Sequence, residues 1–399
     1  MTKTTRPFTP DWVSSPGDAM ADLLEERDWT QAQLADRLGY TTKHISQLIN
    51  GKAPINEETA LKLERVMGST AAFWLRYEAQ YRAALARKEE ENRLKEWTSW
   101  LDQLPVKDLM NQGVIPKCRL IAKNKPGLVK KLLQFFGVAS PSDWQNYYAG
   151  MEVAFRRTRE EQSDVGAIST WLRLGEIRAE QLDCPKYSKP KFEKAVREIR
   201  TLTVLPPEEF EPQMQKMCQK AGVVLVLVPS IKRAHVSGVA RWLNPHKALI
   251  QLSLSGKTND HFWFNFFHEV AHILLHDKEN IFLDEWDSGE SLKSEQEHQA
   301  DQWSWEFLIP SEYQGELAQL KSETDVIDFA ERIGIDSAIV VGWLQHDHLI
   351  DINRYVENRL EMSEVWRTAK NFYFWVVEYF AQSDRVLLSL LDTTPDPLR

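Results

Sequence analysis

Apolar positions at helical spacing are interrupted by clear helix-stop signals through residues 16–68. Thr30 is a good N-cap with a glutamine three positions further on, and Gly39 ends the helix that follows. A second helix begins near Thr41 or Thr42, carries its isoleucine and leucine side chains inward, and ends at Asn50-Gly51. Two short helices joined by a tight glycine turn predict a helix-turn-helix.

Helical patterns continue beyond this module. One long helix, strongly charged in its last part, is predicted from Thr70 onward. Amphipathic helices are predicted over 125–137 and 190–203, with proline-containing turns between them. Towards the end of the chain the pattern indicates a short pair of helices before residue 350 and an aromatic-rich amphipathic segment over 363–392.

The pattern of apolar residues changes near residue 222, from helical periodicity to short continuous apolar runs. The apolar runs VVLVLVP (223–229) and KALIQLSLSG (247–256) predict buried strands. The segment FWFNFFHEVAHILLH follows and is apolar on nearly all faces, which predicts a helix inside a core. A further helix is predicted from about Glu295 to Leu308. The predicted fold is therefore mainly α with a small β-sheet, in the α+β class.

Composition narrows the class of protein. Apolar residues make up 43% of the chain, which excludes wholesale disorder. Three scattered cysteines argue against a disulfide framework and against a thiolate metal site. No apolar run is long enough to span a bilayer, so we predict a cytoplasmic protein with no membrane contact. A net charge of −9 means that any contact with DNA is local or weak.

The motif HEVAH places His268 and His272 four residues apart, so both imidazoles lie on one side of a helix and can bind one tetrahedral zinc ion. Glu269 lies between them, where it can take a proton from a water molecule that attacks a carbonyl. This is the chemistry of peptide hydrolysis. The competing interpretation is a chance motif in which two histidines pack in a core without a metal.

Zinc needs a third protein ligand, and Glu297 is the best candidate. The segment EHQAD places Asp301 one helical turn beyond it, where Asp301 can support the outer nitrogen of a liganding histidine. We therefore predict one zinc ion per chain, bound by His268, His272 and Glu297. Weaker ligand candidates are His276, which requires the helix to break after His272, together with Glu295, His298 and Asp301.

In a helix-turn-helix the second helix enters the major groove and the first crosses the backbone. Polar amides and hydroxyls on the second helix suit the recognition of base edges. The side chains predicted to face the bases are Thr41, Thr42, Lys43, Ser46, Gln47 and Asn50, and those predicted to meet phosphates are Gln31 and Lys52. The alternative is a helical protein-interaction domain, which the acidic first helix favours.

Two segments of the sequence resemble known protein families. TQAQLADRLGYTTKHISQLINGKAPINEETALKLERVMGSTAAFWL is similar to the Xre-type helix-turn-helix of HigA-like antitoxins. DHFWFNFFHEVAHILLH, followed by EHQADQWSWEFLIP, resembles the ImmA/IrrE family of metallopeptidases, whose members pair HExxH with a downstream ExxAN/D helix. Trp303 and Trp305 depart from that pattern, because they stand where the family usually has phenylalanine and small residues.

The resemblance implies zinc on His268, His272 and Glu297, with Glu269 as general base. The predicted domain organisation places an Xre-type helix-turn-helix DNA-binding domain at 1–80, a helical region with the long connector helix at 81–205 and a zincin-like metallopeptidase domain at 206–360. A helical extension at 361–399 lies outside the family pattern.

The function expected on these grounds is a DNA-binding zinc metalloendopeptidase. Its expected partners are a double-stranded DNA operator, a second copy of itself in a homodimer, and a substrate that is a repressor or antitoxin-type regulator in a stress, toxin-antitoxin or mobile-element circuit. The strand at 248–254 is expected to accept an extended peptide by edge pairing. The alternative is a non-proteolytic repressor or antitoxin with a metal-binding sensor domain, and a third is neutralisation of a toxin by protein contacts.

Overall fold

A computed structural model describes residues 14–155, 164–253, 258–277, 282–285, 295–347 and 349. The chain divides into two compact units, Met1–Thr98 and Ser99–Arg399. Among the described residues, no helix is both long enough and apolar enough to cross a bilayer. The predicted aromatic-rich segment at 363–392, and with it the extension at 361–399, lies outside the described residues.

The described part of the first unit is helical, as its sequence predicts. Its helices are α1 (Pro16–Glu26), α2 (Gln31–Leu38), α3 (Thr42–Ile49), α4 (Glu57–Met67) and α5 (Ala71–Glu96).

Local capping fixes the two short helices of this unit. The Thr30 side chain accepts a hydrogen bond from the backbone N–H of Gln33, and the Gln33 side chain accepts from the N–H of Thr30. Gly39 ends α2 in the left-handed region at φ 69°, which glycine adopts at little cost. Leu34 and Ile45 are fully buried in one apolar core, so the helix-turn-helix prediction is confirmed.

The described part of the second unit combines helices with one sheet. Its helices are α6 (Val106–Asn111), α7 (Lys125–Phe136), α8 (Pro141–Phe155), α9 (Val165–Gln181), α10 (Lys189–Arg200), α11 (Pro207–Lys220), α12 (Asn259–Leu275), α13 (Glu295–Leu308), α14 (Ser311–Leu317), α15 (Glu323–Ile333) and α16 (Ser337–His346). Its strands are β1 (Val223–Val228), β2 (Val236–Asn244), β3 (Lys247–Ser253) and β4 (Phe282–Glu285). The α+β class predicted from the sequence is confirmed.

The strand order is β1-β3-β2-β4, with β1 parallel to β3 and β2 antiparallel to both of its neighbours. Strands β1 and β3 are the two that the apolar runs predict. Strands β2 and β4 are not predicted from the sequence. In β2, glycine, serine and arginine interrupt the apolar pattern, and pairing with β3 stabilises the extended conformation that local propensity does not favour.

The expectation that strand 248–254 accepts a peptide by edge pairing is wrong. Its described part belongs to β3, which is interior and pairs with β1 on one side and β2 on the other. Its backbone donors and acceptors are therefore already used within the sheet. Among the described strands, β1 and β4 lie at the two edges.

The two faces of the sheet are covered differently. Leu225, Ala240 and Ile250 belong to a buried apolar cluster that includes the aromatic residues of α12. On the opposite face, Gln251 donates to the carbonyl of Trp171 at 2.7 Å, so polar pairs as well as apolar contacts attach α9 to the sheet. Helices therefore cover both faces, which explains why every residue of β1 is buried.

Arg200 at the end of α10 holds three chain segments together. Its guanidinium donates to the carbonyls of Phe307 at 3.0 Å, Leu308 at 2.7 Å and Ile333 at 3.1 Å. These carbonyls lie in the last turns of α13 and α15, where no further helical N–H is available to them.

We expect Arg200→Ala to lower the free energy of unfolding by about 2 to 3 kcal/mol, because it leaves carbonyls without a charged donor. Urea denaturation followed by circular dichroism measures the change. Arg197→Ala is the matched control, since this arginine is exposed on the same helix. Equal stability of the two variants would contradict the structural role of Arg200.

Candidate metal centre

Helix α12 carries polar side chains through the most aromatic part of the core. Trp263, Phe266 and Phe267 are each 0% exposed and pack into the apolar cluster of the second unit. Glu269 is also 0% exposed, and the two histidines of HEVAH are buried beside it. Polar groups buried to this degree need partners from other elements.

Helix α13 supplies a carboxylate that can serve as the third metal ligand. Glu297 Oε2 lies 3.0 Å from His268 Nε2 and 3.5 Å from His272 Nε2, and the two Nε2 atoms lie 2.9 Å apart. One ligand atom from each of these three residues falls within 4.8 Å of the others. The structure therefore brings together the three side chains that the sequence predicts as zinc ligands.

The donor set fits zinc in chemistry and in size. Two imidazole nitrogens and one carboxylate oxygen make up a common set for catalytic zinc, with a fourth position left for water or substrate. Ligands about 2.0 to 2.1 Å from a tetrahedral zinc lie roughly 3.3 Å from one another. The three separations of 2.9, 3.0 and 3.5 Å are close to that value.

The outer nitrogens of both histidines also have partners. Asp301 Oδ1 lies 2.9 Å from His268 Nδ1, the place that the sequence assigns to it. His276 Nδ1 lies 2.9 Å from His272 Nδ1, and His276 Nε2 lies 3.3 Å from Gln299 Oε1. A carboxylate at Nδ1 favours the tautomer of His268 whose Nε2 lone pair is free to bind a metal.

The position of His276 corrects one expectation. The sequence gives no reason for the helix to stop after His272, but α12 ends at Leu275 and His276 is its C-cap with extended backbone angles of −108° and 165°. This turns the His276 ring back towards His272 instead of further along the helix. His276 contacts the outer nitrogen of His272, and it is absent from the set of three converging ligands.

The electrostatics of the centre favour forms that bind metal. Burial lowers the pKa of His272 to about 4, so this imidazole is neutral at pH 7. Burial raises the pKa of Glu297, but hydrogen bonds with His268 and His272 outweigh it and hold the pKa below its usual range. Neutral imidazole and ionised carboxylate are the states in which these groups coordinate zinc.

Glu269 packs against the backbone of β2. A Cβ atom added to Gly238 would lie 3.0 Å from Cδ and 3.0 Å from Cγ of Glu269, closer than ordinary packing allows. Glycine at this position therefore makes room for the carboxylate. Sequence reasoning missed Gly238, because a glycine inside a strand signals a close approach without saying of what.

An aromatic wall stands next to His268. The Phe264 ring lies 6.0 Å from the His268 ring and 4.5 Å from the Trp305 ring, and Trp305 lies 5.6 Å from His346 of α16. Trp303, the other departure from the family pattern, stacks on Phe307 at 4.8 Å. Of the two tryptophans, Trp305 therefore belongs to the aromatic wall beside the candidate metal ligands.

The weaker ligand candidates lie apart from the three converging atoms. Glu295 and His298 are exposed on α13, and Glu295 accepts a hydrogen bond from Gln299 at 3.4 Å. Neither residue belongs to the group of ligand atoms that could hold one ion.

The residues predicted to meet DNA lie on the surface of the first unit. Exposed side chains are Gln31, Thr41, Thr42, Lys43, Asn50 and Lys52, and half-buried ones are Ser46 and Gln47. Two of them have local roles as well, since Thr41 caps α3 and Asn50 donates to the carbonyl of Ser46 at 2.7 Å. Lys43 and Gln47 lie one turn apart on α3.

Comparison with known proteins finds a family match within each unit. A helix-turn-helix family matches residues 20–74, and a peptidase family described as the IrrE N-terminal-like domain matches residues 218–340. YddM of Escherichia coli (strain K12), an uncharacterized HTH-type transcriptional regulator, is 32% identical over 73 residues, which are 18% of this chain and 78% of that protein. The chain belongs to the helix-turn-helix transcriptional regulators and joins that DNA-binding domain to an IrrE-like metallopeptidase-type domain.

Proposed function

We propose that this protein is a DNA-binding regulator whose second unit is a zinc endopeptidase, and that its substrate is a repressor or antitoxin-type regulator. The observation that carries the proposal is the convergence of His268, His272 and Glu297, with Glu269 buried on α12 next to the two histidines. The family match over residues 218–340 supports the same assignment.

Each residue has a distinct role in this proposal. Zinc, when bound by the three ligands, supplies a Lewis acid that polarises a peptide carbonyl and acidifies water. Asp301 holds the His268 ring in the orientation and tautomer that coordination needs. Glu269 takes the proton of the attacking water and delivers it to the leaving amine. Gly238 keeps the Glu269 carboxylate in place by leaving space in β2.

We expect about one zinc per chain in the purified protein, and we expect His272→Ala to lose it because only two donors remain. Asp301→Ala should keep the ligands but weaken zinc affinity about 10-fold to 100-fold. Inductively coupled plasma mass spectrometry and chelator competition measure both effects. His298→Ala is the control, because this exposed histidine lies beside Glu297 in sequence. Loss of zinc from that control as well would argue against the assigned ligands.

Glu269→Gln separates zinc binding from catalysis. We expect this variant to retain zinc and to abolish cleavage, because an amide cannot accept the proton of the attacking water. Mass spectrometry of new protein N-termini, in cells that express the wild type or the variant, identifies substrates without knowing them beforehand. Glu295→Gln on the exposed face of α13 is the matched control. The same N-termini with and without Glu269 would rule out proteolysis by this site.

A second candidate function is a repressor or antitoxin whose metal-binding domain senses without cutting. The burial of the site favours it, since Glu269 is 0%, His268 1% and His272 2% exposed. A sensor of this kind keeps its zinc and its DNA binding in the Glu269→Gln variant and produces no new N-termini in either form. The same experiment therefore distinguishes the two functions.

The first unit is proposed to bind a double-stranded operator as a homodimer, with α3 in the major groove. Matching half-sites then lie about 34 Å apart, one turn of the duplex. Lys43 is exposed and Gln47 is half-buried on α3, while Ile45 and Leu48 are buried in the core. An ammonium and an amide one turn apart suit the recognition of neighbouring bases.

We expect the double variant Lys43→Ala with Gln47→Ala to lose at least about tenfold of the preference for a selected duplex over random DNA, because each base contact contributes roughly 1 to 3 kcal/mol. Selection from a random library followed by fluorescence anisotropy measures this preference. Lys88→Ala with Gln80→Ala, exposed on α5, changes the same residue types and the same charge. An undiminished preference in the α3 variant would exclude these residues from base recognition.

A further inference from the structure

The second unit carries a dense positive charge that the proposed site does not use. Residues 117–131, called the basic segment from here on, contain six lysine or arginine residues and no aspartate or glutamate. No other stretch of fifteen residues in the chain has so high a net positive charge. The segment forms the loop before α7 and the first half of that helix.

These charges face solvent. The exposed members are Lys117, Arg119, Lys123, Lys130 and Lys131, and Lys125 is half-buried. Within the described residues, none of the six forms an ion pair with a carboxylate. A concentrated charge without internal partners attracts a polyanion, and more strongly at low salt.

The backbone at the start of α7 adds to this. Asn124 stands at the N-cap position, but its side-chain amide donates to the carbonyl of Arg119 at 2.9 Å and does not cap the helix. In the first turn of α7 the Lys125 N–H donates to the Ile121 carbonyl and Pro126 has no N–H, so only the Gly127 N–H is left for an outside acceptor, close to Lys123 and Lys125. Phosphate oxygens are acceptors of the kind that such N–H groups bind.

The low net charge of the first unit favours duplex DNA as the partner of the basic segment. Residues 1–98 contain 14 basic and 15 acidic residues, so the unit with the helix-turn-helix has almost no net charge. Sequence-independent affinity for DNA comes from neutralising phosphates with lysine and arginine. The first unit is poorly supplied for that task, and the basic segment has the charge that it lacks.

A membrane surface fits the segment less well. Leu120 and Ile121 are exposed in the loop, but the apolar side of α7 is not available to lipid, because Leu128 and Leu132 are buried in the protein. An interfacial helix needs its apolar face free to enter the bilayer. Only the lysine side of α7 is exposed, which suits a phosphate backbone.

We propose that the basic segment binds the phosphate backbone of duplex DNA without regard to sequence, as a second contact in addition to α3. This rests on the proposed DNA binding and deepens it, since affinity comes from the second unit and base recognition from the first. The slope of the binding constant against salt reports the number of phosphates neutralised.

The test measures binding of the full chain to a fluorescent 40-base-pair duplex of random sequence by anisotropy, over a series of salt concentrations. The test variant combines Lys123→Gln, Lys130→Gln and Lys131→Gln. The control combines Lys191→Gln, Lys216→Gln and Lys220→Gln, three exposed lysines on α10 and α11 with the same change of charge. We expect the log–log salt slope to fall by about 2 to 3 in the test variant alone.

Protection of a neighbouring thiol locates the contact. Cys118 is exposed inside the basic segment, whereas Cys184 is half-buried elsewhere and serves as the internal reference. We expect the duplex to slow alkylation of Cys118 relative to Cys184, as measured by mass spectrometry, and to do so much less in the test variant.

The outcomes separate this proposal from that for α3. If the Lys43→Ala, Gln47→Ala variant loses sequence preference but keeps the salt slope, both contacts are supported. If that variant changes nothing while the test variant loses affinity, the basic segment stands and the assignment of α3 fails. Equal slopes in wild type, test and control overturn the basic segment. Unchanged DNA binding with loss of binding to phosphatidylserine vesicles overturns it in favour of a membrane.

Discussion

The second unit is organised by the need to satisfy a polar cluster inside an aromatic core. Helix α12 buries His268, Glu269 and His272 among tryptophan and phenylalanine side chains, where an unpaired polar group costs several kcal/mol. The partners come from α13, whose Glu297 and Asp301 reach inner and outer nitrogens. The position of α13 is therefore tied to the chemistry of α12. A shift of either helix would break the set of hydrogen bonds and the ligand geometry together.

The sheet completes this arrangement from the other side. Strand β2 passes α12 at Gly238, where the absence of a side chain leaves space for Glu269. The opposite face of β2 carries Arg241. Arg241 donates to Glu176 at 2.8 Å and to the carbonyl of Leu172 at 3.1 Å, both on α9. One strand thus joins the candidate base on one face to a buried ion pair on the other. Glu269 therefore lies against a strand that is attached to neighbouring helices on both of its faces.

The two units divide between them the features that the proposed DNA-binding peptidase would need. The first has a compact helical core and exposed polar residues on α3, but almost no net charge. The second contains the candidate metal ligands and also the densest positive charge of the chain, over 117–131. Base recognition needs few residues in fixed positions, whereas phosphate attraction needs only charge. A protein with a net charge of −9 can therefore bind DNA if its positive charge is concentrated.

The sequence by itself determined the features that depend on near neighbours in the chain and carry a recognisable local signal. Capping residues set the limits of α2 and α3, and the spacing of HEVAH put two imidazoles on one side of α12. It also indicated α13 and its ExxxD spacing, because these are helical periodicities.

Only the tertiary structure decided what depends on residues far apart. Pairing with β3 made a strand of the irregular sequence of β2, and it placed β3 in the interior, where no peptide can add. The approach of α13 brought Glu297 to the histidines, 29 residues from His268. The end of α12 at Leu275 turned His276 back onto His272 without a glycine or proline to announce it. Local signals are short in range, whereas strand partners and the second contact of each imidazole are set by packing, which no single segment encodes.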